Sequence, residues 1–345
     1  MKTAVPSPDA ALFEEVLRKT TRAVVISHYK PDGDAAGSLM GCCHYLRSRG
    51  IEVTPILPSP LSAALQFVAP LGCGLIVYEE DPAAADAAVA AADTIICLDF
   101  NQLSRTEHME DRIRSSSARK VLVDHHVSYS AEDFDVVYSS TDVSSACELL
   151  FWVLMQMKDV AGDAENLNMD VCNALYVGMM TDTNNFANSV SPSTLEMAAR
   201  LLERGVDKND LQFKVLNCHT ESRMRLMGHL LKDKMTVLEK YGAAFIILTD
   251  EEKEQYDFRP GDSEGFVNLP LTIAGIRLSA FFTECRDEGY FRVSLRSRPG
   301  TDVNRFSNLY FNGGGHVCAA GGRLFLKRDE IAAYFLSALE AYFQL

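Results

Sequence analysis

Short apolar runs rich in β-branched residues alternate with longer mixed stretches over the first part of the chain. Residues 22–27, 51–57, 94–98, 120–123 and 135–139 read as strands, and residues 35–49 and 82–92 read as helices between them. Gly50 stops the first helix, and Pro58 and Pro60 close the second strand. Apolar strands without polar alternation, separated by helices, predict an α/β fold whose parallel sheet is covered by helices on both faces. Residues 147–157, 169–180, 192–204 and 221–234 then read as helices. After Gly242 the pattern returns to strands at 243–248, 276–284 and 290–297, with Arg286, Asp287, Glu288 and Gly289 as a hairpin turn between the last two. Helices are expected at 302–310 and 329–343. The division implied is a first domain over 1–212, a linker helix over 213–238, and a smaller α/β domain over 239–345.

The 345 residues are 47% hydrophobic and 23% charged, as in a globular protein. No apolar stretch reaches the roughly 20 residues that span a bilayer. The opening residues lack the basic and apolar regions of a signal peptide. Nine scattered cysteines without a Cys-x-x-Cys pair argue against a disulfide framework or thiolate zinc site. A cytoplasmic protein with no membrane association is expected. The net charge of -14 disfavours long duplex nucleic acid, whose binding requires many phosphates to be neutralised. Residues 289–328 depart from the rest, with seven basic side chains against one acid, Asp302. This pattern either solvates a sheet or holds a small anionic ligand.

Chemistry-bearing residues cluster where strands end. His28 follows the first strand and precedes Pro31, Asp32, Gly33 and Asp34. Asp99 closes a second strand, and Asp124, His125 and His126 close a third. Asp182 follows an apolar helix. Singly, each has an ordinary explanation: Asp34 as a helix cap, Asp99 as a loop start, Asp182 as an Asx turn. Together they would project into one crevice beyond the carboxyl ends of parallel strands. Several aspartates in one crevice repel one another unless a cation neutralises them. Carboxylates and imidazoles without thiolates suit manganese, magnesium, iron or cobalt. The six donors His28, Asp32, Asp34, Asp99, His125 and Asp182 exceed the needs of one ion. Two ions sharing Asp99, with Asp182 a second candidate for sharing, fit better and point to attack on phosphorus.

Near the C-terminus, Asn312, Gly313, Gly314, Gly315 and His316 precede Val317 to Gly322, read as the start of a short helix. The glycines either let backbone N–H groups approach an anion or form a tight turn between a helix and a strand. Arg296, ending a strand in the basic segment, offers a fork to phosphate oxygens.

These motifs, in this order, resemble those of the DHH phosphoesterases, and Asn312 to His316 with Ala319, Ala320 and Gly321 resembles their associated C-terminal domain. The likeness runs over about residues 20–325 and is greatest to the nanoRNase/pAp-phosphatase branch. The resemblance implies a manganese enzyme, with magnesium or cobalt as alternatives. It would hydrolyse nanoRNA or dinucleotides such as pApA and pGpG to mononucleotides, or 3′-phosphoadenosine 5′-phosphate to AMP. Cyclic dinucleotides, pyrophosphate and polyphosphate are the alternative substrates, and a homodimer is the implied assembly. It further implies that His28, Asp32 and Asp99 hold one ion, and that Asp34, Asp99, His125 and Asp182 hold the other. His126 would face the scissile phosphate and Asp124 would orient a histidine. Arg296 and Gly313 to His316 would clamp the substrate across an interdomain cleft. Asn184 to Ser189 stand where relatives more often carry a small and a basic residue.

Overall fold

Apolar β-branched segments become strands because both of their faces are covered. The computed structural model describes residues 10–217 and 219–344, and the chain forms two compact units, Met1–Cys218 and His219–Leu345. The opening residues 1–9, part of the stretch read as lacking a signal peptide, lie outside the described residues.

The first unit runs α1 (Ala11–Lys19), β1 (Arg22–Ile26), α2 (Gly33–Ser48), β2 (Glu52–Leu57), β3 (Ile76–Val77), α3 (Pro82–Ala91) and β4 (Thr94–Leu98). It continues with α4 (Glu110–Ser115), β5 (Arg119–Asp124), β6 (Val136–Ser139), α5 (Ala146–Met155), α6 (Met169–Asp182), α7 (Pro192–Arg204) and α8 (Lys208–Leu216). Its six strands are all parallel, in the order β3-β2-β1-β4-β5-β6. Alternate residues enter separate cores. Val25, Leu57, Ile96, Leu98, Val121 and Val123 pack with side chains of α2, α5 and α6. Val24, Ile26, Ile95, Cys97 and Leu122 pack with Ala85, Val89 and Ile113 of α3 and α4. The expected doubly covered parallel sheet is therefore present. From β1 the chain proceeds outward through β2 and β3, and from β4 it proceeds the opposite way. The β1/β4 boundary is the topological switch point, where an open parallel sheet leaves a crevice at its carboxyl edge.

Helices α2 and α6 cross at backbone contact. A Cβ on Gly37 would lie 2.5 Å from the Ala174 carbonyl oxygen and 2.9 Å from the Gly178 nitrogen. Only hydrogen at these positions lets the helices approach this closely, and the approach brings Asp34 near the end of α6.

The second unit runs α9 (Glu221–His229), β7 (Thr236–Leu238), β8 (Ala243–Leu248), α10 (Asp250–Gln255), β9 (Leu278–Cys285) and β10 (Tyr290–Ser297). After these come α11 (Val303–Tyr310), β11 (Gly314–His316), β12 (Ala319–Leu324) and α12 (Arg328–Gln344). The sheet order is β11-β12-β10-β9-β8-β7, with β8 and β9 parallel and the other pairs antiparallel. Phe245, Phe282, Val293 and Leu295 pack against Phe306, Phe311 and Phe335 from the helical side.

Three expectations need correction. The segment 213–238 holds the end of α8, then α9, a π-helical turn over Leu230–Lys234 and β7, not one linker helix. Gly33 begins α2, and Asp32 rather than Asp34 caps it. The segment after His316 is a strand, not a helix, because Ala319–Leu324 pairs with β10 across six positions. The hairpin at Arg286–Glu288 and Gly289 forms as expected. Among the described residues no helix is long and apolar enough to cross a membrane.

Candidate metal centre

His28 lies just beyond β1 and is buried. Its Nδ1 is 2.9 Å from the Tyr29 carbonyl oxygen, which only accepts, so Nδ1 carries a proton, and Nε2 presents a lone pair when the ring is neutral. Asp32 caps α2, with Oδ1 accepting the N–H groups of Asp34 and Ala35 at 3.0 Å each. Asp34 is buried. Its carboxylate accepts the Ala146 N–H at 2.6 Å and the Cys147 N–H at 2.9 Å, seated on the N-terminus of α5 where the helix dipole favours negative charge.

Asp99 follows β4 with φ +62°, in the left-handed region. Aspartate tolerates this conformation better than most residues, but it still costs on the order of 1 kcal/mol. Its carboxylate divides between two histidines, with Oδ2 3.5 Å from His28 Nε2 and Oδ1 3.5 Å from His125 Nε2. The same His125 nitrogen lies 3.8 Å from Asp34 Oδ2 and 3.6 Å from Asp182 Oδ2. Asp32 Oδ1 lies 3.9 Å from His28 Nε2. Asp124, at the end of β5, receives the His126 backbone N–H at 3.1 Å and meets His126 Nδ1 at 2.7 Å.

Three sets of donor atoms therefore converge to within 4.8 Å: His28, Asp32 and Asp99; Asp34, His125 and Asp182; and Asp99, His125 and His126. All six residues expected as ligands fall in these sets. The third set also draws in His126, whose Nδ1 is 3.8 Å from Asp99 Oδ1.

The electrostatics match a site built for cations. Burial, reinforced by the Asp99 charge, raises the pKa of Asp34 well above the usual carboxylate range, and crowding by neighbouring groups with the Asp99 charge raises that of the more exposed Asp32. Burial raises Asp182 to about 7 against the attraction of His125. Burial would lower His125, but its hydrogen bond to Asp99 and the nearby aspartates overcome this and raise it to about 10. His28 is raised in the same way, burial opposing and Asp99 prevailing. Burial likewise opposes the ionisation of Asp99, yet hydrogen bonds from His125 and His28 hold its pKa below the usual range. Protons thus take up charge that a divalent cation would neutralise. Oxygen and imidazole donors with no thiolate among them fit a hard or borderline divalent ion.

The remaining expected residues lie in the second unit. Arg296 is half-buried on β10, opposite Ser279 of β9 and Ala319 of β12. Its Nη1 donates to the Leu295 carbonyl at 2.9 Å, and no carboxylate among the described residues pairs with it. Burial lowers its pKa. Gly314, Gly315 and His316 form β11, paired with β12. A Cβ on Gly313 would come within 2.5 Å of Gly322 Cα, so this glycine is required by the close hairpin itself. The Gly315 N–H, expected to face an anion, donates to Asn304 Oδ1 at 2.8 Å.

Sequence reasoning missed Glu148, which is buried among hydroxyl groups at the start of α5. The spacing Ser145-x-x-Glu148 resembles a capping box and was the available signal. It also missed the helix crossing at Gly37 and Gly178. Gly33, Gly37 and Gly41, spaced four apart on one helix face, were legible in principle.

Residues 22–179 match the family model for the DHH family, N-terminal domain. The chain is 29% identical to the bifunctional oligoribonuclease and PAP phosphatase NrnA of Thermus thermophilus, over 91% of this chain and 87% of that protein. It is 26% identical to the probable bifunctional oligoribonuclease and PAP phosphatase NrnA of Streptococcus mutans, over 86% and 88%. Among solved structures, an exopolyphosphatase-related protein from Bacteroides fragilis superposes with a TM-score of 0.93 at 34% identity, covering 99% of this chain and 98% of that one. The chain belongs to the DHH family, as a phosphoester-hydrolysing enzyme of its NrnA-like branch.

Proposed function

We propose that the chain is a two-metal phosphoesterase that cleaves short oligonucleotides to mononucleotides and converts 3′-phosphoadenosine 5′-phosphate to AMP. The observation that carries this reading is the division of the Asp99 carboxylate, one oxygen toward His28 and the other toward His125. A carboxylate so placed would offer one oxygen to each of two neighbouring donor sets. His28, Asp32 and Asp99 would hold one, and Asp34, Asp99, His125 and Asp182 the other, with manganese favoured in both. Divalent cations in these positions supply Lewis acidity, acidifying a water and offsetting charge on the phosphoryl oxygens.

The protein's own groups contribute in other ways. The Ala146 and Cys147 amides at the α5 N-terminus hold the Asp34 carboxylate in place. Asp124 fixes the ring of His126, which is assigned to the scissile phosphate. In the reaction, water adds to phosphorus, the phosphorus–oxygen bond to the sugar breaks, and the departing oxygen takes a proton. Arg296, a half-buried cation without a carboxylate partner among the described residues, is suited to a terminal phosphate of the substrate. The acidic body and the single basic segment fit a short substrate rather than a long duplex, and the likeness to NrnA proteins supports the same class.

The test is a substrate panel of pAp, pApA, pGpG, cyclic-di-AMP and pyrophosphate, each with manganese and with magnesium. Mononucleotide release from the linear dinucleotides or pAp, abolished in Asp99→Ala, is the expected result. Preferential turnover of cyclic-di-AMP or pyrophosphate would overturn the substrate assignment. Undiminished activity of Asp99→Ala would overturn the site.

A further inference from the structure

The N-terminus of α5 does two things at once. On one side its first amides, Ala146 and Cys147, hold the Asp34 carboxylate. On the other side it is anchored through Glu148, a carboxylate with no exposed surface. Glu148 Oε2 accepts the Ser144 N–H at 2.8 Å, the Ser144 hydroxyl at 2.6 Å and the Thr194 hydroxyl at 2.7 Å. Its Oε1 accepts the Ser193 hydroxyl at 2.5 Å. No lysine or arginine among the described residues pairs with it. A buried carboxylate without a counterion persists only because these donors satisfy it.

The donors come from two places that matter for the metal centre. Ser144 belongs to the turn that leads into α5 and so sets where the Ala146 and Cys147 amides point. Ser193 and Thr194 open α7, which begins where the loop after Asp182 ends. Glu148 therefore ties the support of Asp34 to the segment that continues from Asp182. His125 Nε2 lies within 3.8 Å of both of those aspartates. The other donor set, His28, Asp32 and Asp99, flanks β1, α2 and β4, and among the described residues no hydrogen bond joins it to Glu148.

We infer that Glu148 is a positioning residue for one ion only, fixing the α5 N-terminus so that Asp34 and Asp182 meet His125 in binding geometry. This rests on the two-metal reading above. Removing Glu148 to alanine leaves the Ser144 N–H without its acceptor and frees the start of α5. Glutamine keeps the shape, because its oxygen can take the Ser144 and Thr194 donors while its amide donates to the Ser193 oxygen.

The test is calorimetric titration of the full-length protein with manganese, with the metal-free melting temperature measured in parallel. Wild type is expected to bind two ions. Glu148→Ala is expected to weaken one of them by about tenfold or more, the range for loss of a group that orients a metal ligand, and to leave the other within about threefold. Glu148→Gln should restore the weakened ion to within about threefold of wild type. Two unchanged ions in Glu148→Ala, an equal loss of both, or no recovery in Glu148→Gln would overturn the inference. Wild type binding fewer than two ions would instead overturn the two-metal reading. If Glu148→Ala fails to fold, Ser193→Ala with Thr194→Val removes two donors and keeps the Ser144 contacts. The same one-ion criterion then decides.

Discussion

Asp124 Oδ1 lies 2.7 Å from His126 Nδ1, and its second oxygen receives the His126 backbone N–H at 3.1 Å. The carboxylate is fully buried and the imidazole only partly so. A buried group thus holds both the backbone and the ring of a more accessible one. Asp124→Asn keeps the volume but exchanges one acceptor oxygen for a donor. The ring of His126 then loses its fixed orientation, while the six proposed ligands stay in place. Turnover of a short substrate is expected to fall about 10- to 100-fold, with manganese affinity changed far less. Steady-state kinetics beside a manganese titration check this, and a parallel loss of metal would show that Asp124 supports the ligands instead.

The same cluster sets a pH dependence. A metal ion competes with the protons on its ligands. Asp182 holds its proton up to a pKa of about 7, and His125 up to about 10. Manganese affinity is therefore expected to rise with pH. The steep part lies below about pH 7, where Asp182 must lose a proton before it can bind, and a gentler rise continues toward pH 10 through His125. Titration calorimetry in buffers of different ionisation heat should find proton release on binding at neutral pH. Release that is absent at pH 7 and affinity that is flat from pH 6 to 8 would contradict the proposed roles of both residues.

The strands of the first unit were legible because their two faces are both buried, so continuous apolar runs such as Thr94–Leu98 stand out. Ile76–Val77 did not stand out, being a half-buried pair at the sheet edge. The candidate cluster was partly legible because His28, Asp99 and His125 follow strand ends, and strand order brought the ends of β1, β4 and β5 together. What sequence did not reveal is decided at long range. Asp32 and Asp34 are equally suited to cap α2 by type, and the choice falls to Asp32 because Asp34 is captured by amides 112 and 113 residues further along. The glycines after Asn312 suggested a loop entering a helix. Their true constraint is the tight turn into the neighbouring strand β12, where a Cβ on Gly313 would meet Gly322.

The crossing of α2 and α6 gives a stability prediction. A Cβ on Gly178 would lie 2.9 Å from Asp34 Oδ1 and 3.1 Å from its Cα, and closer still to the Cys147 sulfur. Gly178→Ala is expected to destabilise by about 1 to 3 kcal/mol through overpacking, and to displace Asp34 as it does so. Gly228 in α9 is the control, since a Cβ there meets nothing within 4 Å. Gly228→Ala should stabilise by up to about 1 kcal/mol through helix propensity alone. Urea unfolding of both variants without metal measures the contrast, and equal effects at the two positions would remove the claim of a forced close approach.

Arg296 offers the sharpest test of how substrate is held. Burial lowers its pKa and no carboxylate among the described residues pairs with it, so its charge is compensated only by the Leu295 carbonyl within this unit. A phosphate oxygen is a much better partner for the guanidinium than a carbonyl. Losing a hydrogen bond to a charged group costs about 1.5 to 3 kcal/mol, so Arg296→Ala should raise KM for a phosphate-ended dinucleotide about 10- to 100-fold. The effect on kcat should be smaller, because the proposed contact is with a terminal phosphate rather than the one that reacts. Arg296→Lys keeps the charge but not the planar fork, and should recover only part of the loss. The decisive comparison is between pApA and the same dinucleotide without its terminal phosphate. Wild type should prefer pApA, and Arg296→Ala should treat the two alike. A preference that survives the substitution would place the recognition of that phosphate on other residues.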